Sequence, residues 1–404
     1  MIASSRLFPA LAAPSLLPGN LLLAMLGKRL EAGELTAILP SGERHVFSGR
    51  ADGHHALIRL HQRRTLHRLI SGGAVGLAES YMDGEWDSPD LGALLELGDI
   101  NDRALGNAAD GHPLWRLGRK LWHRLHDNTR GGARRNISAH YDLGNDFYAQ
   151  WLDPGMTYSS ALFAREDETL ISAQARKYRA IADDIGLKPG MRLLEIGCGW
   201  GGFAELAARD YGAHVVGLTL SSEQHAWAKR RMSEAGLADR VDIRLQDYRD
   251  VSGQFDRIIS IEMIEAVGER WWPTYFAKIR DCLAPGGAAG LQAITIADDR
   301  FESYRRSCDF IQRHIFPGGM LPSPAVLRRH AGDAGLDLAV TRRFGADYER
   351  TLALWERAFQ AAWPTIAPLG YDMRFKRLWE FYMAYCRAGF RTKAIDVEHL
   401  VLRR

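Results

Sequence analysis

From Leu187 onward the chain alternates apolar runs of strand length with amphipathic stretches of helical period. RLLEIG (192–197) reads as a buried strand, and FAELAARDY after it carries its apolar residues at helical spacing. The alternation then repeats through HVVGLTL, SSEQHAWAKRRMSEAG, VDIRLQD and FDRIISIEMI. WPTYFAKIRDCLAPGG reads as a helix with its stop, and AAGLQAITI as a fifth strand. Strands separated by single helices predict a parallel sheet with crossover helices on its faces. The residues after the fifth strand read as mostly helical. Residues 20–100 have a different texture, with short strand-like runs (LTAILP, ERHVFSG, HALIRL) and a helical stretch, GGAVGLAESYMDGEW. That is the pattern of a small α+β domain. Asn101–Pro113, rich in Gly, Asn, Asp and Ala, reads as a boundary.

Length agrees with two domains, since 404 residues exceed one ordinary core. Cys198, Cys282, Cys308 and Cys386 show no C-x-x-C spacing, and the fourteen histidines form no ligand pattern, so no metal is expected. The scattered cysteines suggest a reducing compartment. Residues 7–26 are apolar but broken by Pro14, Pro18, Gly19 and Asn20, too short a run to span a membrane. LLLAMLGKRLEAG reads as a first helix rather than part of a cleaved leader, and the expected address is cytoplasmic.

Net charge is only +3, but its distribution is uneven. Arg116, Arg119, Lys120, Arg124, Arg130, Arg134 and Arg135 face a single acid, Asp127, between His112 and Arg135. Leu114, Leu117, Leu121 and Leu125 recur there at helical spacing beside Trp115 and Trp122, and Gly131-Gly132 is expected to break the helix. An amphipathic basic helix suits an anionic membrane surface or an exposed interdomain face. No nucleic-acid motif accompanies it.

The sharpest motif is Glu195-Ile-Gly-Cys-Gly-Trp-Gly-Gly, between the first strand and its helix. Glycines there permit a tight turn and close approach of a ligand to the backbone. Gly197, Gly199 and Gly202 satisfy G-x-G-x-x-G, but the second strand ends in Gly217-Leu218-Thr219, without the acid that a dinucleotide ribose requires. An acid stands instead before the loop, at Glu195, and Gln246-Asp247 ends the third strand. This combination resembles the S-adenosylmethionine-dependent methyltransferases.

HYDLGNDFYAQWLDPGMTYSSALF, LLEIGCGWGG, GLTLSSEQ, LQDYRD, IEAVG, FPGGMLPS and FGADYERTLALW are similar, in order and spacing, to the cyclopropane-fatty-acyl-phospholipid synthase family. The likeness runs from about Asn136 to Phe390. It implies an α/β fold: a Rossmann-like class I methyltransferase domain with a mostly helical C-terminal part, behind a small α+β domain. The boundaries expected are 1–112 for the N-terminal domain, with a lipid or dimerisation role, 113–135 for the basic linker helix and 136–404 for catalysis. The resemblance implies methyl transfer from S-adenosylmethionine to the double bond of an unsaturated phospholipid acyl chain, with bicarbonate removing a proton from the resulting cation. It further implies a peripheral enzyme at the inner face of the membrane, and a homodimer is compatible with it.

Carried over by motif, Tyr158, Ser159, Glu195, Gly197 and Gly199 serve the methionine end of the cofactor, Thr219, Leu220 and Gln224 the ribose, and Gln246 and Asp247 the adenine. Ser160, Glu265, Gln292 and Tyr348 fall at the bicarbonate site. Ser160 stands where the family pattern has cysteine, and Gln292 where it has histidine. Neither supplies a positive charge or a titratable imidazole. The product is then a cyclopropane if the substitutions are tolerated, or a methyl- or methylene-bearing chain if proton removal is altered. Tyr158, Phe163, Tyr348 and Trp355 are aromatic candidates beside such a cation, with Tyr158 and Tyr348 preferred. Phe316-Pro-Gly-Gly-Met-Leu-Pro-Ser is a candidate acyl-channel loop by the same resemblance. Two other readings stay open: methylation of a soluble small molecule, and a non-catalytic lipid- or cofactor-binding homologue.

Overall fold

The computed structural model describes Leu23, residues 27–106, 128–133 and 143–404. The apolar N-terminal run apart from Leu23 and nearly all of the basic helix, with Arg116, Arg119, Lys120 and Arg124, lie outside the described residues. Of the expected first helix, Leu23 and Gly27 are helical, while Ala32 and Gly33 already belong to a strand. Residues 130–133 are helical, and the helix that Gly131-Gly132 is expected to break lies outside the described residues. The chain divides into two compact units, 1–118 and 119–404.

In the first unit, β1 (Ala32–Ile38), β2 (Arg44–Ser48), β3 (Ala51–Leu60) and the short β4 (Trp86–Asp87) form a sheet in the order β2-β1-β3-β4. Helix α1 (Arg64–Met82) follows β3 and is interrupted at Gly73, whose φ of 61° leaves the helical region. Helix α2 (Leu91–Ile100) is capped by Asp90, whose side chain accepts from Ala93 N. Asn101 sits at the start of the expected boundary, yet it is a buried pin. Its amide accepts from Glu31 N and Ala32 N and donates to Ala32 O and Leu97 O, tying α2 to β1.

The second unit is built on seven strands in the order β10-β11-β9-β8-β5-β6-β7. Helix α3 (Leu170–Asp184) leads into β5 (Arg192–Ile196), which is followed by α4 (Gly202–Asp210), β6 (His214–Thr219), α5 (Ser222–Glu234) and β7 (Val241–Leu245). Then come β8 (Phe255–Ile261), α6 (Trp272–Cys282), β9 (Leu283–Ile296), β10 (Asp337–Arg343), α7 (Gly345–Ile366), α8 (Met373–Arg391) and β11 (Ile395–Arg403). Strands β5 to β9 pair in parallel. Their near-continuous burial comes from cores on both faces, one around Trp272, Phe276 and Leu400, the other around Ile181, Phe203 and Met232.

Two features differ from the sequence reading. The helix stops at Cys282 as read, but the LAPGG segment after it is already the start of β9, where the register to β8 shifts between Phe255/Leu283 and Arg257/Ala288. The C-terminal part is not wholly helical either, because β10 and β11 close the sheet in antiparallel fashion. Strand β11 has the longest pairing, nine residues against β9, with His399 opposite Gln292. Since β5 lies between β8 and β6, the chain reverses direction of travel across the sheet at β5. A crevice opens at such a point beyond the strand ends, and ligands bind there.

Candidate active site

The glycine loop leaves β5 at this crevice. Gly197, Gly199 and Gly201 all have positive φ (85°, 52° and 84°). A Cβ on Gly197 would lie 2.9 Å from Met263 Cγ, so both conformation and space require glycine. Gly199 faces open space, with nothing within 4 Å of its would-be Cβ. Glu195 is buried before the loop, and its Oε2 has no hydrogen-bond partner. Burial pushes its carboxyl up to about 8, opposed by the Arg231 and Lys177 charges. An orphaned buried carboxyl beside an open glycine cradle fits a ligand carrying a cation and donors, as S-adenosylmethionine does.

The other expected cofactor residues surround the same strand ends. Tyr158 OH donates to Tyr382 OH at 2.9 Å. Ser159 Oγ accepts from the fully buried Lys177 at 2.6 Å. Burial draws the Lys177 ammonium down to about 7 against the pull of Glu262, Asp153 and Glu195. Thr219 Oγ1 donates to Gln224 Oε1 at 2.8 Å, and Ser221, the N-cap of α5, accepts from Gln224 N. Leu220 is half-buried between them. Gln246 N donates to Thr219 O, which holds the third strand's end beside the second. Both oxygens of Asp247 are engaged by the Arg249 guanidinium, leaving Gln246 the more available of the two.

At the ends of β8 and β9 the structure brings Ser160, Gln292 and Tyr348 together around a residue that the sequence reading passed over, Glu262. Ser160 N donates to Glu262 Oε1 at 2.8 Å, Gln292 Nε2 to the same oxygen at 2.6 Å, and Tyr348 OH to Oε2 at 2.7 Å. Glu262 has a left-handed φ of 48°, a costly conformation for a residue with a side chain. Burial pushes its carboxyl up, while the Lys177 ammonium and the three donors favour the ionised form. Gln292 is oriented from behind: His399 Nε2 lies 3.0 Å from Gln292 Oε1. Burial draws His399 down to about 3, so the ring is neutral, with its Nε2–H facing the amide oxygen. The amide nitrogen therefore faces Glu262.

Glu265, expected in this cluster, stands aside from it. Its Oε1 accepts from Ile294 N at 2.5 Å, and its buried Oε2 has no partner. Burial, with the Glu262 charge adding, pushes it up to about 8. The Phe316–Ser323 loop meets the same segment through Met320 N, which donates to Glu265 O. The donors expected to receive bicarbonate are thus already met by a carboxylate of the chain itself, and the residues present do not fit a second anion there.

An aromatic wall adjoins the acids. Tyr158 and Trp355 lie 5.3 Å apart between ring centroids, Tyr348 and Trp355 6.1 Å, and Tyr348 and Phe390 4.7 Å. Phe163 is instead covered by the Arg350 guanidinium, 3.8 Å from its centroid. Glu262, Lys177 and His399 were all missed in the sequence. The acid had a visible signal, because IEMIEAVG carries two glutamates three positions apart just beyond a strand. Lys177 and His399 had none, being polar residues among several others on α3 and β11.

Comparisons with known proteins agree with this architecture. The family model described as mycolic acid cyclopropane synthetase matches residues 128–400. The tuberculostearic acid methyltransferase UfaA1 of Mycobacterium tuberculosis is 40% identical over 368 residues, covering 88% of this chain and 85% of that protein. The cyclopropane-fatty-acyl-phospholipid synthase of Escherichia coli K12 is 38% identical over 352 residues, covering 86% of this chain and 87% of its own. The crystal structure of mycolic acid cyclopropane synthase CmaA1 complexed with SAH and CTAB superposes with a TM-score of 0.63 at 33% identity, over 67% of this chain and 98% of that one. With sheet order, glycine loop and the matched length in agreement, the chain belongs to the mycolic acid cyclopropane synthetase family.

Proposed function

We propose that the chain transfers a methyl group from S-adenosylmethionine to the double bond of an unsaturated phospholipid acyl chain, giving a cyclopropane or a methyl- or methylene-branched chain. It is an S-adenosylmethionine-dependent C-methyltransferase of its family. The observation that carries the substrate reading is the aromatic wall of Tyr158, Tyr348 and Trp355 beside a buried acid cluster at the glycine-loop end of the sheet. Electron-rich ring faces and exclusion of water stabilise a developing carbocation, which methylation of an alkene produces and methylation of an amine or hydroxyl does not.

When bound, S-adenosylmethionine supplies a methyl group activated by a sulfonium charge. Gly197 and Gly199 give the backbone approach, Glu195 and Ser159 with Lys177 meet the polar methionine end, and Thr219, Gln224 and Gln246 meet the ribose and adenine. Among the described residues no helix is long and apolar enough to cross a membrane. The basic stretch between His112 and Arg135 supports a peripheral site at the anionic inner face.

Expression in a bacterium lacking its own cyclopropane synthase, followed by mass spectrometry of membrane fatty acids, tests the reading. A gain of one CH2 is expected. Hydrogenation then distinguishes a ring from a retained alkene. Unaltered membrane lipids, with methyl transfer to a soluble acceptor instead, would reject it.

A further inference from the structure

Glu262 is an unusual investment for a structural residue. A carboxylate is carried into the interior on left-handed backbone, at the end of a parallel strand, and both effects are unfavourable unless something compensates them. The compensation comes from three separate parts of the chain: Ser160 after the Tyr158 turn, Gln292 on β9 and Tyr348 on α7. The neutral His399 fixes the direction of the Gln292 amide, and Lys177 provides the nearby positive charge. Glu265, three residues on, is met only by backbone N–H groups, with no side-chain donor on it. Two acids placed so close, one rich in donors and one poor, divide into an ionised and a protonated partner.

We infer that the Glu262 carboxylate is the enzyme's own proton acceptor, held where a bicarbonate ion would otherwise bind, so that turnover requires no bicarbonate. The inference rests on the alkene-methylation reading above. The alkene π pair bonds to the methyl carbon as the S–CH3 bond breaks, its electron pair staying on sulfur to leave neutral S-adenosylhomocysteine, and the neighbouring chain carbon is then cationic. A C–H bond then breaks and its proton passes to a Glu262 oxygen. The C–H electron pair forms either the closing C–C bond of a ring or a new C=C bond, and the charge is discharged. Loss of the proton to solvent restores the carboxylate, and no oxidant or reductant is consumed. Tyr348, Ser160 and Gln292 act here as positioning residues, holding the acceptor rather than a free anion.

The test uses the full-length enzyme, methyl-labelled S-adenosylmethionine and vesicles of a monounsaturated phospholipid, in CO2-free buffer and with bicarbonate added back. The wild-type rate should be the same in both. E262Q, which keeps the shape but not the base, should lose on the order of 100-fold or more in kcat, without response to bicarbonate. E262G vacates the site, so it should be inactive in CO2-free buffer and recover in part when bicarbonate or formate is added. A small anion would not restore a merely structural defect. A wild-type rate that falls without bicarbonate, an E262Q that turns over normally, or a folded E262G deaf to both anions would each overturn the inference. Should E262G not fold, judged by S-adenosylhomocysteine binding, the wild-type and E262Q arms decide. Absence of wild-type product in either buffer would instead overturn the alkene-methylation reading itself.

Discussion

Glu262 and Glu265 show how much a single residue's surroundings decide. Both are half-buried, but Glu262 is held by donors from three separate parts of the chain and Glu265 by backbone N–H groups alone. Burial lifts Glu265 from its ordinary value of 4.5 to about 8. Between these values the folded chain holds a proton that the unfolded chain has lost. The favourable contribution is therefore complete below the unfolded value and disappears as pH rises through the folded one. E265Q keeps an oxygen for Ile294 N and removes the titration. The wild type should lose more thermal stability than E265Q between about pH 5 and pH 8, where each ~1 kcal/mol corresponds to roughly 2–4 °C in a unit of this size. Parallel melting curves for the two proteins would contradict a protonated Glu265. The sequence had marked Glu265, Tyr348, Ser160 and Gln292, and the last three do converge. The group they converge on was hidden because a linear pattern does not reveal which of two neighbouring acids the backbone turns toward the donors of Ser160, Gln292 and Tyr348. Here that depends on the left-handed twist at Glu262.

At the scale of elements, the parallel strands were legible because both of their faces are buried, and the chain spells them as short, mainly apolar runs between amphipathic stretches. Strands β10 and β11 were not. The former alternates with exposed positions, and the latter carries Asp396, Glu398 and His399 among its apolar residues. The helices before and between them drew both into a helical reading. The LAPGG segment was misjudged for a related reason: its glycine and proline signal a helix stop, and the sheet accommodates them through a register shift. The loop after β5 gives a sharper test of element against ligand. G197A meets both a positive φ and Met263, and should destabilise the fold by roughly 2–3 kcal/mol. G199A pays only its left-handed conformation, about 1 kcal/mol, but puts a methyl into the open space of the cradle. Calorimetry should therefore find a folded G199A with S-adenosylhomocysteine affinity lowered by tenfold or more. If G199A bound normally, the cofactor would not lie against that turn.

For the molecule as a whole, the proposed substrate sets the difficulty: its reacting carbons would lie within a bilayer while the site lies in an α/β unit. On that proposal the chain must hold to a membrane long enough for an acyl chain to leave it. Overall charge does little for this, being only +3 in 404 residues. The concentration of Arg116, Arg119, Lys120 and Arg124 beside Trp115 and Trp122 is a different matter. A basic residue near an anionic surface contributes about 1 kcal/mol, falling off within a Debye length, and aromatic residues add apolar contact at the headgroup level. Changing those four basic residues to Gln should then reduce partitioning onto vesicles of anionic phospholipid by roughly 100-fold or more at low salt. The difference should shrink as salt is raised, because screening acts on the wild type and has little left to act on in the variant. S-adenosylhomocysteine affinity should not change, which separates loss of membrane contact from loss of the site. Equal sedimentation of both proteins with anionic vesicles at low salt would remove this stretch as the membrane contact, and attention would pass to the N-terminal unit.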